Sequence, residues 1–154
     1  MYGKEYFNLI RPYADKNKKL VPIVRKILSY SPNKVLDVGC GHGFLVKRLL
    51  NREIDAVGID LSEFAGSEIP DNFISHDATK KFPFVDKQFD VCVSSDFLEH
   101  LDENEIDFCL SEMKRVAKIV LAQVCCKKEK VANTHKTVKP IEWWKKKFPT
   151  TEFI

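Results

Sequence analysis

Val35-Leu36-Asp37-Val38-Gly39-Cys40-Gly41-His42-Gly43 decides the fold of this chain. Lys34–Val38 is apolar enough to form a strand buried on both faces, and three alternating glycines follow it immediately. Glycine at 39, 41 and 43 lets the turn take positive φ and lets a ligand approach bare backbone, while the next helix points its unpaired N–H groups into the same space. A second apolar run ends in Gly58-Ile59-Asp60, whose carboxylate is placed to hold a ribose through two hydroxyls. Together these segments describe a pocket for a nucleoside.

Working outward, Leu20, Ile23, Val24, Ile27 and Leu28 recur at helical spacing before the strand, and Leu45, Val46, Leu49 and Leu50 form one stripe after the glycines. Ile54–Ile59 is the second strand, completing a right-handed βαβ unit. A short crossover, Ser62–Ile69, leads past Pro70 to a third strand near Phe73–Ser75, and Phe89–Ser94 is a fourth. Ile106, Cys109, Leu110, Met113 and Val116 mark a helix leading to a fifth strand at Lys118–Val124. Pro140–Phe148 is a last helix with Ile141, Trp144 and Phe148 on its apolar face, and Thr150–Ile154 is long enough only for a short strand. Strands alternating with helices predict an α/β, doubly wound, mostly parallel sheet.

A length of 154 residues, 44% hydrophobic and 31% charged, suits one globular domain, here spanning residues 20–154 behind an aromatic-rich segment at 1–19. No apolar run reaches membrane-spanning length, and Met1-Tyr2-Gly3-Lys4-Glu5 lacks the basic-then-apolar design of a secretion signal, so the expected location is cytoplasmic with no membrane partner. Cys40, Cys92, Cys109, Cys125 and Cys126 are odd in number, with no C-x-x-C pair and no histidine at ligand spacing. They predict reduced thiols, with no metal site expected. Net charge is +3, but it is unevenly spread: an acidic stretch runs from Asp86 to Glu112, and a basic tail from Lys127 to Lys147. That tail is either a nucleic-acid surface or a solvated face.

A dinucleotide fingerprint requires G-x-G-x-x-G, whereas the third glycine here comes one residue early and Phe44 stands where a glycine would be needed. With Asp37 two residues before the first glycine, the segment resembles motif I of the class I S-adenosylmethionine-dependent methyltransferases. The stretch Ser94-Ser95-Asp96-Phe97-Leu98-Glu99-His100-Leu101 is similar to the one after strand four in the small-molecule enzymes of the ubiquinone and menaquinone type. It lacks the Asn/Asp-Pro-Pro-Tyr/Phe of enzymes that methylate amino groups on bases.

The resemblance implies a role for each matching residue. Asp37 would contact the amino end of the methionine moiety through water. Gly39, Cys40, Gly41 and Gly43 would supply close backbone, Asp60 would take the ribose hydroxyls, and Leu61 would lie beside the adenine. Asp77 and the Ala78 N–H suit the adenine ring, Ser94 and Ser95 would face the methionine end, and Phe97 would wall the reacting centre, its ring favouring a sulfonium. Taken singly, Asp77 also suits a turn that caps its own backbone and Phe97 suits plain core. His100, able to titrate near neutrality at the mouth of the site, reads as a general base for an acceptor or as a cap on its turn. His42 is expected to contribute its backbone more than its ring, and His76 and His135 have no evident partner. Tyr2, Tyr6, Phe7 and Tyr13 read as a lid over the cofactor or as a strap on the sheet.

The family's sheet has seven strands, the last two antiparallel at one edge, and this sequence supplies five and a candidate sixth. The expected reading is a minimal or truncated methyltransferase that uses S-adenosylmethionine on a small-molecule acceptor and releases S-adenosylhomocysteine, with a homodimer covering the open edge. The alternatives are an RNA or other nucleic-acid methyltransferase using the Lys127–Lys147 tail with Trp143 and Trp144, or a cofactor-binding module completed by a partner chain.

Overall fold

The computed structural model describes residues 3–14, 17–128 and 134–154. Six strands, β1 (Lys34–Val38), β2 (Asp55–Asp60), β3 (Phe73–Ser75), β4 (Phe89–Ser95), β5 (Ala117–Gln123) and β6 (Glu152–Phe153), form one sheet in the order β3-β2-β1-β4-β5-β6. Every pairing is parallel. The strand order reverses between β1 and β4, and a doubly wound sheet opens a crevice at the carboxyl ends of its strands at that point.

Alternation along the strands divides the core. Val35, Val91, Val93 and Leu121 face α2 (Asn17–Leu28) and α3 (Phe44–Leu50), while Leu36, Val38, Cys92 and Val120 face α4 (Glu103–Val116) and α5 (Ile141–Lys147). A capping box starts α4, where Glu105 Oε2 accepts from the Asp102 N–H at 2.8 Å. Arg115 ties the loop before β4 to α4 through Glu112, Asp86 and the carbonyls of Phe82 and Phe84.

The expected boundaries hold to within a few residues, with two differences. Residues 4–14 form a helix, α1 (Lys4–Ala14), where sequence reading left only a strap or lid. The closing strand pairs parallel to β5, Leu121 opposite Glu152 and Ala122 opposite Phe153, so the antiparallel edge of the seven-stranded family sheet is absent among the described residues. Tyr2, the side chain of Tyr13 and Lys130 lie outside the described residues. No described helix is long and apolar enough to cross a membrane.

Candidate active site

The glycine turn is held by its neighbour strand, the N–H groups of Gly39 and Cys40 both donating to the Ile59 carbonyl at 2.9 and 3.1 Å. Gly39, Gly41 and Gly43 have φ of 73°, 53° and 87°, as their spacing predicts. They do different work. A Cβ on Gly39 would lie 2.2 Å from Phe97 Cγ, and one on Gly43 would lie 2.3 Å from Ile69 Cγ1, so both are bare to admit a protein side chain. At Gly41 an added Cβ meets nothing within 4 Å, so this is the glycine whose surroundings are open.

A cavity of about 750 Å³ lies over this turn. It brings together Asp37, Gly39, Cys40, Gly41, Asp60, Leu61, Asp77, Ala78, Ser95, Phe97 and His100 from the ends of β1, β2, β3 and β4. Two residues expected in the site do not line it. Gly43 sits against Ile69 as the N-cap of α3, and Ser94 is fully buried within β4, its hydroxyl without a hydrogen-bond partner.

The carboxylates differ in environment. Asp37 is buried, and loss of water together with the nearby Asp60 charge pushes its carboxyl up to about 7. Asp60 accepts from the Gly41 and Ser62 N–H groups at 3.1 and 3.0 Å, which fixes its orientation; burial still outweighs those bonds and raises its pKa. Asp77 Oδ1 accepts from the Thr79 N–H at 2.9 Å and its hydroxyl at 2.7 Å. Burial opposes ionisation there, but the Thr79 bonds hold the carboxyl below its ordinary value. The turn-capping reading of Asp77 is therefore realised in one oxygen. Cys40 is half-buried beside Asp37 and Asp60, and loss of water together with those charges holds its thiol well above the ordinary value. Leu61, half exposed, offers an apolar edge at the rim.

Tyr6, Phe7 and His100 stand in the wall beside contacts that carry no sequence signal. The His42 ring is buried: Nε2 donates to the Phe7 carbonyl at 2.9 Å, which assigns Nδ1 as acceptor for the Ser67 hydroxyl at 3.0 Å. The ring, and not only the backbone, thereby fastens α1 to the glycine turn. Arg11 and Lys47 both ion-pair with Glu68 and add to the fastening. Tyr6, Phe7 and Leu9 of α1 line the cavity, as does Lys19, whose ammonium lies 2.7 Å from Asp96. His100 packs edge-on against His135 with ring centroids 4.8 Å apart, and His135 Nδ1 lies 2.9 Å from the Lys127 carbonyl. His76 packs edge-on against Phe82, outside the cavity wall.

Glu99 is the largest omission. It stands in the acidic stretch from Asp86 to Glu112, yet it is fully buried, at the floor of the cavity. Oε1 accepts from the Cys125 N–H at 2.9 Å, Oε2 has no hydrogen-bond partner, and burial pushes the carboxyl up to about 7. The one sequence signal was its place within Phe97-Leu98-Glu99-His100-Leu101, a charge in a stretch that holds three apolar residues.

Residues 35–119 match the family described as a methyltransferase domain. The chain belongs to that family. The domain is 33% identical over 92 residues to a ubiquinone biosynthesis O-methyltransferase of Pelagibacter ubique, covering 55% of this chain and 38% of that protein. A SAM-dependent methyltransferase from Archaeoglobus fulgidus aligns at 26% identity and TM-score 0.60 over 74% of this chain and 54% of its own. A Pyrococcus horikoshii protein aligns at 29% identity and TM-score 0.62, over 76% and 62% respectively. The domain thus has the class I methyltransferase fold and spans between about a third and two thirds of these relatives' lengths.

Proposed function

We propose that this domain binds S-adenosylmethionine in the cavity over the glycine turn and directs its methyl group to a small-molecule acceptor. The observation that carries the reading is the single cavity that joins the Asp37, Asp60 and Asp77 strand ends to the Phe97-His100 turn. Its size suits a nucleoside-sized cofactor with room for an acceptor. The donor set fits as well: the fixed Asp60 carboxylate beside open Gly41 suits a ribose, the Leu61 edge and the Ala78 N–H suit a purine, and the buried Asp37 suits a cationic methionine end.

S-adenosylmethionine supplies an electrophilic methyl on a sulfonium, which needs positioning and dryness more than acid-base help. The chain provides both. Phe97, packed on Gly39, gives a rigid aromatic wall near the turn, and α1, fastened by His42, covers the cavity from above. In this reading the segment at 1–19 is a lid. His100 stands at the acceptor end, able to accept a proton from a hydroxyl. Kinship with the ubiquinone O-methyltransferase supports a hydroxylated acceptor.

Calorimetry tests the reading. The chain should bind S-adenosylhomocysteine and show no response to NAD; nicotinamide-cofactor binding without S-adenosylhomocysteine binding would overturn it.

A further inference from the structure

We propose that Glu99, Cys125 and His135 form a binding site for a zinc-class divalent cation at the acceptor end of the cavity. One donor atom from each lies within 4.8 Å of the others, and all three residues line the cavity. Their separation in sequence, 26 and 10 residues, follows no recognised ligand spacing, which is why the cysteines alone predicted no metal.

Each donor is prepared independently. Glu99 Oε2 is buried without a hydrogen-bond partner, while Oε1 is held by the Cys125 N–H, so the carboxylate is oriented with one oxygen to spare. His135 Nδ1 faces the Lys127 carbonyl, which can only accept; the ring proton therefore sits on Nδ1 and the lone pair on Nε2. A backbone carbonyl behind the far nitrogen is the usual outer support of a metal-bound imidazole. The Cys125 thiol points to the same carbonyl at 3.5 Å.

The donor chemistry selects the ion. One oxygen, one sulfur and one nitrogen suit borderline-soft zinc and not magnesium or calcium, which require oxygen ligands. A carboxylate and a thiolate also balance the charge of a divalent ion. Tetrahedral zinc with bonds of about 2.0–2.3 Å sets donors roughly 3.3–3.8 Å apart, so closure needs movements of only about 1 Å. Three protein ligands leave a fourth position, the arrangement of catalytic rather than structural zinc.

That position opens on the cavity, and its use rests on the methyl-transfer reading. An acceptor hydroxyl or thiol held there would be acidified and would give its proton to His100. Its lone pair then forms the new bond to carbon as the S–CH3 bond breaks, the electron pair staying on sulfur to give a neutral thioether.

Titration of the full chain with Co2+, a spectroscopic stand-in for Zn2+, tests the site. One equivalent should produce a thiolate-to-cobalt charge-transfer band that Zn2+ abolishes. Cys125→Ser should lose the band, and Glu99→Gln and His135→Ala should weaken binding, with melting curves verifying that each variant folds. Absence of stoichiometric binding, or a band that survives Cys125→Ser and disappears in Cys126→Ser, would overturn the assignment. Cobalt binding in a chain that fails to bind S-adenosylhomocysteine would uphold the metal site and overturn only the transfer reading.

Discussion

His42 Nε2 donates to the Phe7 carbonyl across 2.9 Å, so the glycine turn and the helix that covers it are one unit. A cofactor bound between them would meet a lid already fastened by this bond and by the Arg11–Glu68 ion pair. His42→Ala removes that bond and the edge-on contact between the His42 and Phe7 rings, 5.1 Å between centroids. Amide exchange in α1 should quicken sharply while exchange in the sheet stays unchanged, and S-adenosylhomocysteine should bind about 3- to 30-fold more weakly, since a lost buried hydrogen bond costs on the order of 1–2 kcal/mol. Uniform exchange across α1 in both proteins would mean that the helix is held by other contacts.

Asp37 carries a pH dependence whose sign is opposite to that of an ordinary paired carboxylate. Its pKa is raised from 3.8 to about 7 by burial and by Asp60, so between those values the folded state binds more protons than the unfolded one. Stability therefore falls as pH rises through that window. Asp37→Asn should melt higher than the wild type at pH 8, with the gap closing toward pH 4, yet should bind S-adenosylmethionine more weakly. A cation bound beside Asp37 favours its ionised form, so calorimetry at pH 6 in buffers of differing ionisation enthalpy should detect proton release that vanishes above pH 8. An Asn variant that is less stable at pH 8 would contradict the assignment.

Asp60→Ala should weaken S-adenosylhomocysteine roughly 10- to 100-fold, because hydrogen bonds to a charged acceptor contribute about 1.5–3 kcal/mol and water recovers part of that. The carboxylate also orders the turn through Gly41 and Ser62, so a modest drop in melting temperature should accompany the loss. An unchanged dissociation constant would show that the ribose is held elsewhere.

The elements legible in sequence were those with an undiluted signal. β1 is buried from Val35 to Val38 and carries three apolar residues, and it ends on glycines that need positive φ, so both the strand and its turn could be read directly. Asp60 was legible because a carboxylate terminates an apolar run. The packing demand at two glycines was not: Gly39, which also lines the cavity, leaves room for Phe97 and Gly43 for Ile69, contacts that only the three-dimensional neighbours reveal. Glu99 comes from the turn after β4, Cys125 and His135 come from the connection between β5 and α5, and no periodicity links them. The His42 ring was missed because its partner, the Phe7 carbonyl, is a backbone group that no side-chain pattern encodes.

His100→Ala separates catalysis from binding. With His100 as the base, turnover with the acceptor should fall by about 10²–10⁴-fold while S-adenosylhomocysteine affinity stays within a few-fold. Its edge-on contact with His135 makes a structural role the competing account, and loss of cofactor binding or of fold in the variant would favour that account.

The basic tail decides between small-molecule and nucleic-acid acceptors, and three of its lysines are committed within the fold. Lys136 pairs with Asp102 and Glu105, Lys139 with Glu103, and Lys147 with Glu103 and Asp107, so these three offset the acidic N-cap and first two turns of α4. Trp144 is fully buried, and Trp143 lies beneath the ammonium groups of Lys139 and Lys147, each 5.2 Å from its ring centroid, leaving little aromatic surface for a base. Trp144→Ala should therefore cost about 3–5 kcal/mol of stability, as large core truncations do. Short RNA should bind weakly and only at low salt. If Lys145, Lys146 and Lys147 did engage phosphates, replacing all three with Gln would reduce the slope of log K against log salt by about 2, at roughly 0.7 per released counterion. We expect no measurable change in that slope; submicromolar RNA affinity at physiological salt, lost in the triple variant, would make nucleic acid the acceptor.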